Sequence, residues 1–228
     1  ILLVDTHVWF LVGCGGARGA ETEDKPASAH SRSALGKGVV DGLQARYDET
    51  DGFQADFSQE IVTAALKTTD VSTGRVYFWK PGKMRWEFSM PFQLIVGDGR
   101  NMWFYQPAEN QVIKTPFEKA FNSNAPVSFL GGIGRLDEEF VIFFESETDA
   151  FYALRLIPKE AGGSGGSLEL KVSKSTYDIV ETKVTDALGN ITTLQFSNIT
   201  RQSREDKRLF TFELPPGVDL LEPLREFE

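Results

Sequence analysis

The sequence is poor in the residues that carry most enzyme chemistry. Its 228 residues include one cysteine and two histidines, and Cys14, His7 and His30 all lie within the first thirty positions. The rest of the chain therefore has no Ser-His-Asp triad, no Cys-His nucleophile and no metal site built from nitrogen or sulfur ligands. A lone cysteine also excludes a disulfide within the chain. We expect no cofactor, no metal site and no enzymatic activity.

Positive charge is also scarce. The chain has 24 Lys and Arg residues against 33 Asp and Glu, which gives a net charge of −9. Non-specific binding to nucleic acid or to anionic lipid headgroups requires clustered cations, so we expect no nucleic-acid partner, and the net charge favours a monomer. Phenylalanine, in contrast, occupies 18 positions. A chain of this length is expected to form one domain with a sizeable core.

The first thirty residues resemble an export segment. Ile1 to Cys14 is apolar apart from Asp5 and His7, and it is shorter than the roughly 20 apolar residues of a membrane-spanning helix. Small residues follow, from Gly13 to Ala20, and then a polar run. The sequence therefore predicts a leader with a polar tail over residues 1–30 and a single domain over residues 31–228.

Three interpretations of this leader stay open. Cleavage near Gly19 or Ala20 would release a soluble protein. The tetrapeptide Leu11-Val12-Gly13-Cys14 resembles the lipobox at which bacterial lipoproteins are cut and acylated on the cysteine. An unprocessed tail is the third possibility.

The predicted domain begins with an amphipathic helix. Its apolar residues recur every four positions, at Leu35, Val39, Leu43 and Tyr47. The same stretch contains three glycines, Gly36, Gly38 and Gly42. Glycine lowers helix propensity, so packing against a sheet must hold this helix in place.

After Asp51-Gly52 the hydrophobic period changes to two, which predicts about ten short strands. Short connections imply antiparallel pairing, with the helices gathered on one side. Two short helices are predicted in the middle, at Pro126–Leu130 and Leu136–Phe140, and a hairpin loop at Ala161–Ser167. The alternating segments include 53–58, 84–90, 92–96, 102–105, 168–172, 194–197 and 210–214.

Several of these strands are apolar on both faces, notably 76–79 and 102–105. A sheet with one face in water does not need that pattern. We therefore expect a strongly curved sheet that helices cover on its concave side. Alternation does not distinguish a packed interior from a ligand cavity.

A set of short motifs, in order along the chain, resembles one known family. The hairpin from Lys80 to Glu87 is the most distinctive, because it places two or three cations and an indole at its mouth, with Arg85 pointing away from Met84 and Trp86. The matching stretches are 53–59 (FQADFSQ), 74–86 (GRVYFWKPGKMRW), 91–99 (PFQLIVGDG), 102–107 (MWFYQP), 111–112, 129–132 (FLGG) and 210–218 (FTFELPPGV).

These stretches resemble the periplasmic outer-membrane lipoprotein carrier family, LolA. The resemblance implies an α+β fold, an incomplete antiparallel β-barrel whose helical lid encloses an apolar cavity. It also implies a periplasmic chaperone that takes acylated lipoproteins from an inner-membrane ABC transporter and delivers them to an outer-membrane acceptor.

The resemblance also implies which residues form the site. A basic residue before the hairpin proline ties the lid to the barrel in the best-known relatives, and Lys80 occupies that place here, with Arg85 as a second predicted tether. Lysine lacks the planar bidentate contacts of arginine, so we expect a looser lid. The residues predicted to bind acyl chains are Phe53, Phe57, Val76, Phe78, Met84, Trp86, Phe88, Leu94, Val96, Phe104 and Leu130.

Other functions remain alternatives. One is a membrane-anchored lipoprotein acceptor of similar fold, which the lipobox-like segment favours. A second is a carrier of another amphiphile, such as a glycolipid. A lipid-processing enzyme is disfavoured by the lack of histidine and cysteine after His30, and a purely structural envelope module would have an interior filled by its own side chains.

Overall fold

A computed structural model describes residues 29–120, 135–159 and 167–222 of the chain. The predicted helix at Pro126–Leu130 lies outside these ranges, as does nearly all of the predicted leader. The first described element begins at Ala29, two residues before the predicted start of the domain.

The described ranges contain twelve strands and three α-helices, so the sequence underestimated the number of strands. The helices are α1 (Ala29–Asp48), α2 (Phe117–Ala120) and α3 (Leu136–Glu139), and short 3-10 helices occur at Pro107–Glu109 and Lys207–Phe210. The strands are β1 (Gly52–Thr63), β2 (Thr68–Trp79), β3 (Lys83–Ser89), β4 (Phe92–Asp98), β5 (Asn101–Gln106), β6 (Gln111–Pro116), β7 (Phe140–Glu147), β8 (Phe151–Pro158), β9 (Ser167–Ser173), β10 (Ile179–Thr185), β11 (Ile191–Gln202) and β12 (Asp219–Leu221).

All twelve strands belong to one open sheet in the order β12-β6-β5-β4-β3-β2-β1-β11-β10-β9-β8-β7. Every neighbouring pair is antiparallel except β12 with β6, which is parallel. The open, mostly antiparallel sheet with few helices confirms the predicted fold class. The predicted hairpin at Ala161–Ser167 connects β8 and β9, which pair antiparallel, although most of the loop lies outside the described residues.

Helix α1 packs on one face of this sheet, which we call the inner face. Val39, Leu43 and Tyr47 are buried there, as the four-residue spacing predicted. Two of the helix glycines allow close approach: a Cβ at Gly36 would lie 3.1 Å from Phe144 Cβ, and one at Gly42 would lie 2.4 Å from the ring of Tyr177. Gly36 and Gly42 therefore permit the close packing of α1 on the sheet, which we expected because the glycines of α1 lower its helix propensity. Within the described ranges, no helix is both long and apolar enough to cross a membrane.

The opposite face of β3 to β6, which we call the outer face, is covered by the C-terminal strap, residues 203–222. Val96, Val112 and Phe210 are buried between the strap and the sheet. The sequence predicted a strand at 210–214, and this prediction was wrong: the 3-10 helix ends at Phe210, and no strand follows before Asp219. Phe210 and Phe212 turn toward the sheet, while Thr211 and Glu213 are exposed. This segment therefore shows the alternation of a strand, although it crosses the sheet without strand-to-strand hydrogen bonds.

Candidate functional site

The inner face carries most of the residues that were predicted to bind acyl chains. In antiparallel pairs, directly opposed residues point to the same face, so strand register decides which side chains share a wall. Val76 opposes Trp86, and Phe78 opposes Met84. The predicted residues on this wall are Phe53, Phe57, Val76, Phe78, Met84, Trp86, Phe88 and Phe104, and all except the half-buried Phe104 are buried.

Aromatic rings fill the centre of this inner wall. Trp86 is 3 % exposed, and its ring centroid lies 5.0 Å from that of Phe57 and 5.8 Å from that of Phe78. Phe88 approaches the ring of Phe57 to 5.0 Å, and Phe53 stacks on Phe78 at 4.9 Å. Offset and edge-to-face pairs of this kind stabilise beyond their buried area. The wall therefore forms a continuous apolar surface that belongs to the same buried cluster as the apolar residues of α1.

Two predicted residues lie on the other face of the sheet. Val96 opposes Arg85 and Trp103, and Leu94 opposes Glu87 and Tyr105. The prediction that Leu94 and Val96 line the inner wall was therefore wrong. They pack on the side of the strap, where Val96 is fully buried. Leu130 lies outside the described residues, so the structure does not place it.

Sequence reasoning missed Ile95, Met102 and Phe196, which are buried in the inner core. The position of Ile95 could have been predicted from the length of the β3–β4 hairpin connection. A two-residue connection pairs Ser89 with Phe92, and counting back from there sets Trp86 opposite Ile95. Met102 depends on Gly97, where a Cβ would lie 2.5 Å from the Met102 sulfur. No pattern in the local sequence predicts the contact between Gly97 and Met102.

Lys80 contacts the C-terminal end of helix α1. Its Nζ donates a hydrogen bond to the carbonyl oxygen of Tyr47, and its backbone N–H donates to the carbonyl oxygen of Asp51 at 2.8 Å. A cation at this end is favourable because the last carbonyls of a helix carry partial negative charge. Burial lowers the pKa of the Lys80 ammonium, while Asp48 and Asp51 act in the opposite direction. Lys80 is thus placed to tether the lid, and that role stays a prediction.

Within the described part of the chain, Arg85 makes no hydrogen bond or ion pair with the helices that cover the inner face. It lies on the outer face, where its Nε donates to Glu87 at 2.6 Å and its Nη1 to the carbonyl oxygen of Leu209 at 3.3 Å. The prediction that Arg85 tethers the lid was wrong, because alternation along β3 turns it away from Trp86. Arg85 ties the strap to the sheet instead.

A half-buried charged cluster lies between α1 and the sheet. Asp178 precedes β10 and accepts a hydrogen bond from Arg201 of β11, and Arg46 Nε of α1 lies 3.7 Å from the same Asp178 oxygen. Arg201 Nε also donates to Thr50 Oγ1 at 3.2 Å. The pKa of the nearby Tyr47 hydroxyl is raised well above its ordinary value, chiefly by burial and further by Asp178, while Arg201 acts in the opposite direction. These groups line a cavity of about 20 Å³, which has room for about one water molecule.

This arrangement can bind apolar chains without performing covalent chemistry. It offers a wall of aromatic and aliphatic side chains beneath a helix that packs on it. Among the described residues, no group of three or more His, Cys, Asp or Glu side chains is arranged to hold a metal ion. Trp86 is buried among its aromatic neighbours, and Tyr47 of α1 packs against Phe53, so we expect an acyl chain to reach the wall when α1 moves.

Known proteins resemble this chain along most of its length. Residues 48–213 match the family model described as outer membrane lipoprotein carrier protein LolA. The outer-membrane lipoprotein carrier protein of Methylobacillus flagellatus is 30 % identical over 183 residues, covering 80 % of this chain and 88 % of that protein. The carrier protein of Nitrosomonas europaea is 34 % identical over 187 residues, with 80 % and 88 % covered.

The fold also recurs in a solved structure. A conserved protein from Thermus thermophilus superimposes with a TM-score of 0.53 over 84 % of this chain and 99 % of its own length, at 16 % sequence identity. That likeness concerns the fold alone. The match to the family model, together with relatives that are 30–34 % identical along most of their length, shows that this chain belongs to the outer-membrane lipoprotein carrier family, LolA.

Proposed function

We propose that this protein is a periplasmic carrier that shields the acyl chains of lipoproteins between the inner and the outer membrane. The observation that carries the proposal is the aromatic inner wall, whose residues Phe57, Trp86 and Phe88 belong to the same buried apolar cluster as the apolar residues of α1. Family membership gives the cargo class, since its relatives are named as outer-membrane lipoprotein carriers.

The energetics favour a site whose apolar surface is covered by the protein's own side chains when no cargo is bound. Burying an acyl chain contributes about 0.8 kcal/mol per CH₂ group, so a preformed open cavity would bind a triacylated lipoprotein too tightly to release it. Here the cargo must first displace α1 from the inner wall, where the ring of Tyr47 packs against Phe53. Separating the helix from the wall costs free energy, which offsets part of the gain from burying the acyl chains and leaves a bound state that can be emptied.

The proposed partners follow from the direction of transfer. The cargo consists of lipoproteins acylated at their N-terminus, the donor is an inner-membrane ABC transporter that releases lipoproteins, and the recipient is an outer-membrane acceptor. A carrier that shuttles between them needs no catalytic group, and we expect lipase and esterase assays of the purified protein to be negative.

Lipoprotein release from spheroplasts tests this function. Incubation of the purified domain with spheroplasts is expected to release lipoproteins into solution as stable complexes. Phe88→Glu places a carboxylate in the inner wall, and because Phe88 also borders an open groove of about 420 Å³, the charge can reach water without unfolding the domain. Phe92→Glu is the matched control, since Phe92 borders the same groove but is 53 % exposed.

We expect wild type and Phe92→Glu to release lipoproteins, and Phe88→Glu to release none. A wild-type domain that releases no lipoprotein would contradict the carrier function. Equal release by Phe88→Glu and wild type would contradict the inner wall as the binding site.

A membrane-anchored acceptor is a second candidate, which one feature favours. The segment Leu11-Val12-Gly13-Cys14 has the pattern at which lipoproteins are acylated. The mass of the mature N-terminus separates the two functions: a diacylglyceryl group on Cys14 means an anchored acceptor, and a terminus near Ala20 means a soluble carrier. Native mass spectrometry of co-purified ligand separates both from a carrier of another amphiphile.

A further inference from the structure

The charged cluster of Arg46, Asp178 and Arg201, which we call the α1 clasp, is asymmetric. Asp178 accepts a hydrogen bond from Arg201, which belongs to the sheet. Its contact with Arg46, which belongs to the helix, is longer, at 3.7 Å. Arg46 Nε is buried and has no hydrogen-bond partner among the described residues. The helix side of the clasp is therefore held by charge attraction, and the sheet side by a charge-assisted hydrogen bond.

The position of the clasp relates it to the movement of α1. Arg46 lies in the last turn of the helix, beside Tyr47, whose ring packs edge-on against Phe53 of the inner wall at 6.4 Å. The side chain of Asp178 is 16 % exposed, so its charge is largely shielded from solvent. The small cavity that Arg46, Asp178 and Arg201 share has room for a water molecule, which can solvate Arg46 as it separates from Asp178.

The geometry points to Asp178 as a positioning residue that sets how readily α1 leaves the inner wall, and hence how fast acylated cargo enters and leaves. This inference rests on the proposed carrier function. Asp178 remains with Arg201 when the helix moves, and Arg46 is the partner that separates. An isosteric amide at position 178 removes the attraction for Arg46 while it keeps the shape of the site.

Glu181 provides a matched control for Asp178. Its side chain is also 16 % exposed, it pairs with Lys171 at 2.7 Å, and it belongs to the neighbouring strand β10. It opposes Gln195 on β11, however, one residue out of phase with the buried Leu194, so it lies on the face away from α1. Glu181→Gln and Asp178→Asn thus each remove one negative charge. The two charges are equally shielded from solvent but lie on opposite faces of the sheet.

The first experiment measures hydrogen exchange of the backbone amides of α1 in the protein without cargo. We expect Asp178→Asn to speed exchange in α1 selectively, by roughly fivefold or more, and Glu181→Gln to leave it within about twofold. Arg46→Met should act in the same direction, and the double variant should exceed neither single variant because both changes remove one interaction. Equal acceleration in α1 and in the sheet, or none in α1, would overturn the inference.

The second experiment measures how quickly a fluorescent tripalmitoyl-cysteine peptide associates and dissociates. We expect Asp178→Asn to raise both rates while Kd changes less, and Glu181→Gln to match wild type. Faster rates confined to Asp178→Asn support the clasp, and unchanged rates contradict it. Failure of the wild-type protein to bind the peptide would contradict the carrier function instead, and the exchange measurement would then decide the clasp alone.

Discussion

The sheet is covered on both faces, but the two covers are attached in different ways. On the inner face, helix α1 presents buried side chains such as Leu43 to the wall, and polar ties to the sheet lie at its C-terminal end. On the outer face, the strap is tied along its length. Arg85 donates to the carbonyl oxygen of Leu209, Lys83 pairs with Glu205, and β12 hydrogen-bonds to β6.

This difference in attachment indicates that the inner cover, α1, can move and that the outer cover, the strap, stays in place. Apolar contact is non-directional, so acyl chains can replace the side chains of α1 on the inner wall at little net cost. A strand pairing or a buried hydrogen bond has no equivalent in an acyl chain, and leaving such groups without partners costs about 1–3 kcal/mol each. We therefore expect the outer face to stay covered when α1 leaves the inner face.

The largest expected contrast is between two tryptophans, one on each face. Trp86→Ala removes the centre of the inner wall and should weaken binding of a tripalmitoyl-cysteine peptide by roughly tenfold or more. Trp103, which stacks on Phe212 of the strap at 6.0 Å, should tolerate alanine with little change in Kd. Titration of peptide fluorescence measures binding.

Stability must be measured beside binding for this pair. Trp86→Ala is expected to lower the free energy of unfolding by about 3–5 kcal/mol, and the half-buried Trp103 somewhat less. Urea denaturation gives both values. If Trp103→Ala weakened peptide binding as much as Trp86→Ala did, the two faces would not differ in function.

A second contrast lies within α1 itself. A Cβ added at Gly38 would meet no atom within 4 Å, whereas a Cβ at Gly42 would clash with the ring of Tyr177. Alanine raises helix propensity equally at both sites, so Gly38→Ala should stabilise by about 0.5–1 kcal/mol. Gly42→Ala should instead destabilise by about 1 kcal/mol, because the ring must move. Thermal unfolding monitored by circular dichroism measures both.

The two glycine variants should also have opposite effects on the rate at which the peptide enters and leaves the protein. Gly42→Ala should speed exchange of the peptide and Gly38→Ala should slow it, if the attachment of α1 limits cargo entry. A change in the same direction for both variants would indicate that helix propensity, and not contact with the sheet, controls the lid.

Tyr47 provides a pH test of the inner face. Its pKa is raised in the folded state, chiefly by burial, above a value of about 10 in the unfolded chain. The neutral hydroxyl therefore contributes stability that is fully present below about pH 10 and is lost as the pH rises further. In Tyr47→Phe this loss should be absent, so the difference in unfolding free energy between wild type and variant should change above about pH 10, by at most about 1.4 kcal/mol per pH unit. A difference that stays constant there would contradict the burial of Tyr47.

The smallest contrast is between two lysines in one hairpin. Lys80 donates to the end of α1, and Lys83 pairs with Glu205 of the strap. Methionine at either position should cost about 1 kcal/mol or less, and at Lys80 the cost is reduced because burial already disfavours the charge. Hydrogen exchange should rise in α1 for Lys80→Met and in the strap for Lys83→Met. The reverse pattern would mean that the two tethers were assigned to the wrong covers.

Alternation along the chain predicted the inner wall well where hairpins are short. The faces of β1, β2 and β3 followed directly from residues such as Phe57, Val76 and Trp86, because a period of two leaves only two choices of face. The error at Leu94 and Val96 arose where β4 is apolar on both sides. There the pattern gives no face, and only the register of the hairpin decides.

Other features depend on contacts that sequence patterns do not encode. Phe210 and Phe212 alternate as in a strand, yet they lie in a segment that crosses the sheet. The clasp brings together Arg46, Asp178 and Arg201, which are distant in sequence and resemble ordinary surface charges until α1 is placed. The close approach of Gly42 to Tyr177 likewise emerges only in three dimensions.

Distances between spin labels test the central claim most directly. In a protein lacking Cys14, labels at Gly38→Cys on α1 and Ser197→Cys on the exposed surface of β11 report the inner cover, and labels at Arg208→Cys and Ser197→Cys report the strap. Addition of an acylated lipoprotein should shift the first distance distribution and leave the second unchanged. An unchanged first distance with cargo bound, or a strap that moves as far as α1, would contradict a movable inner cover and a fixed outer one.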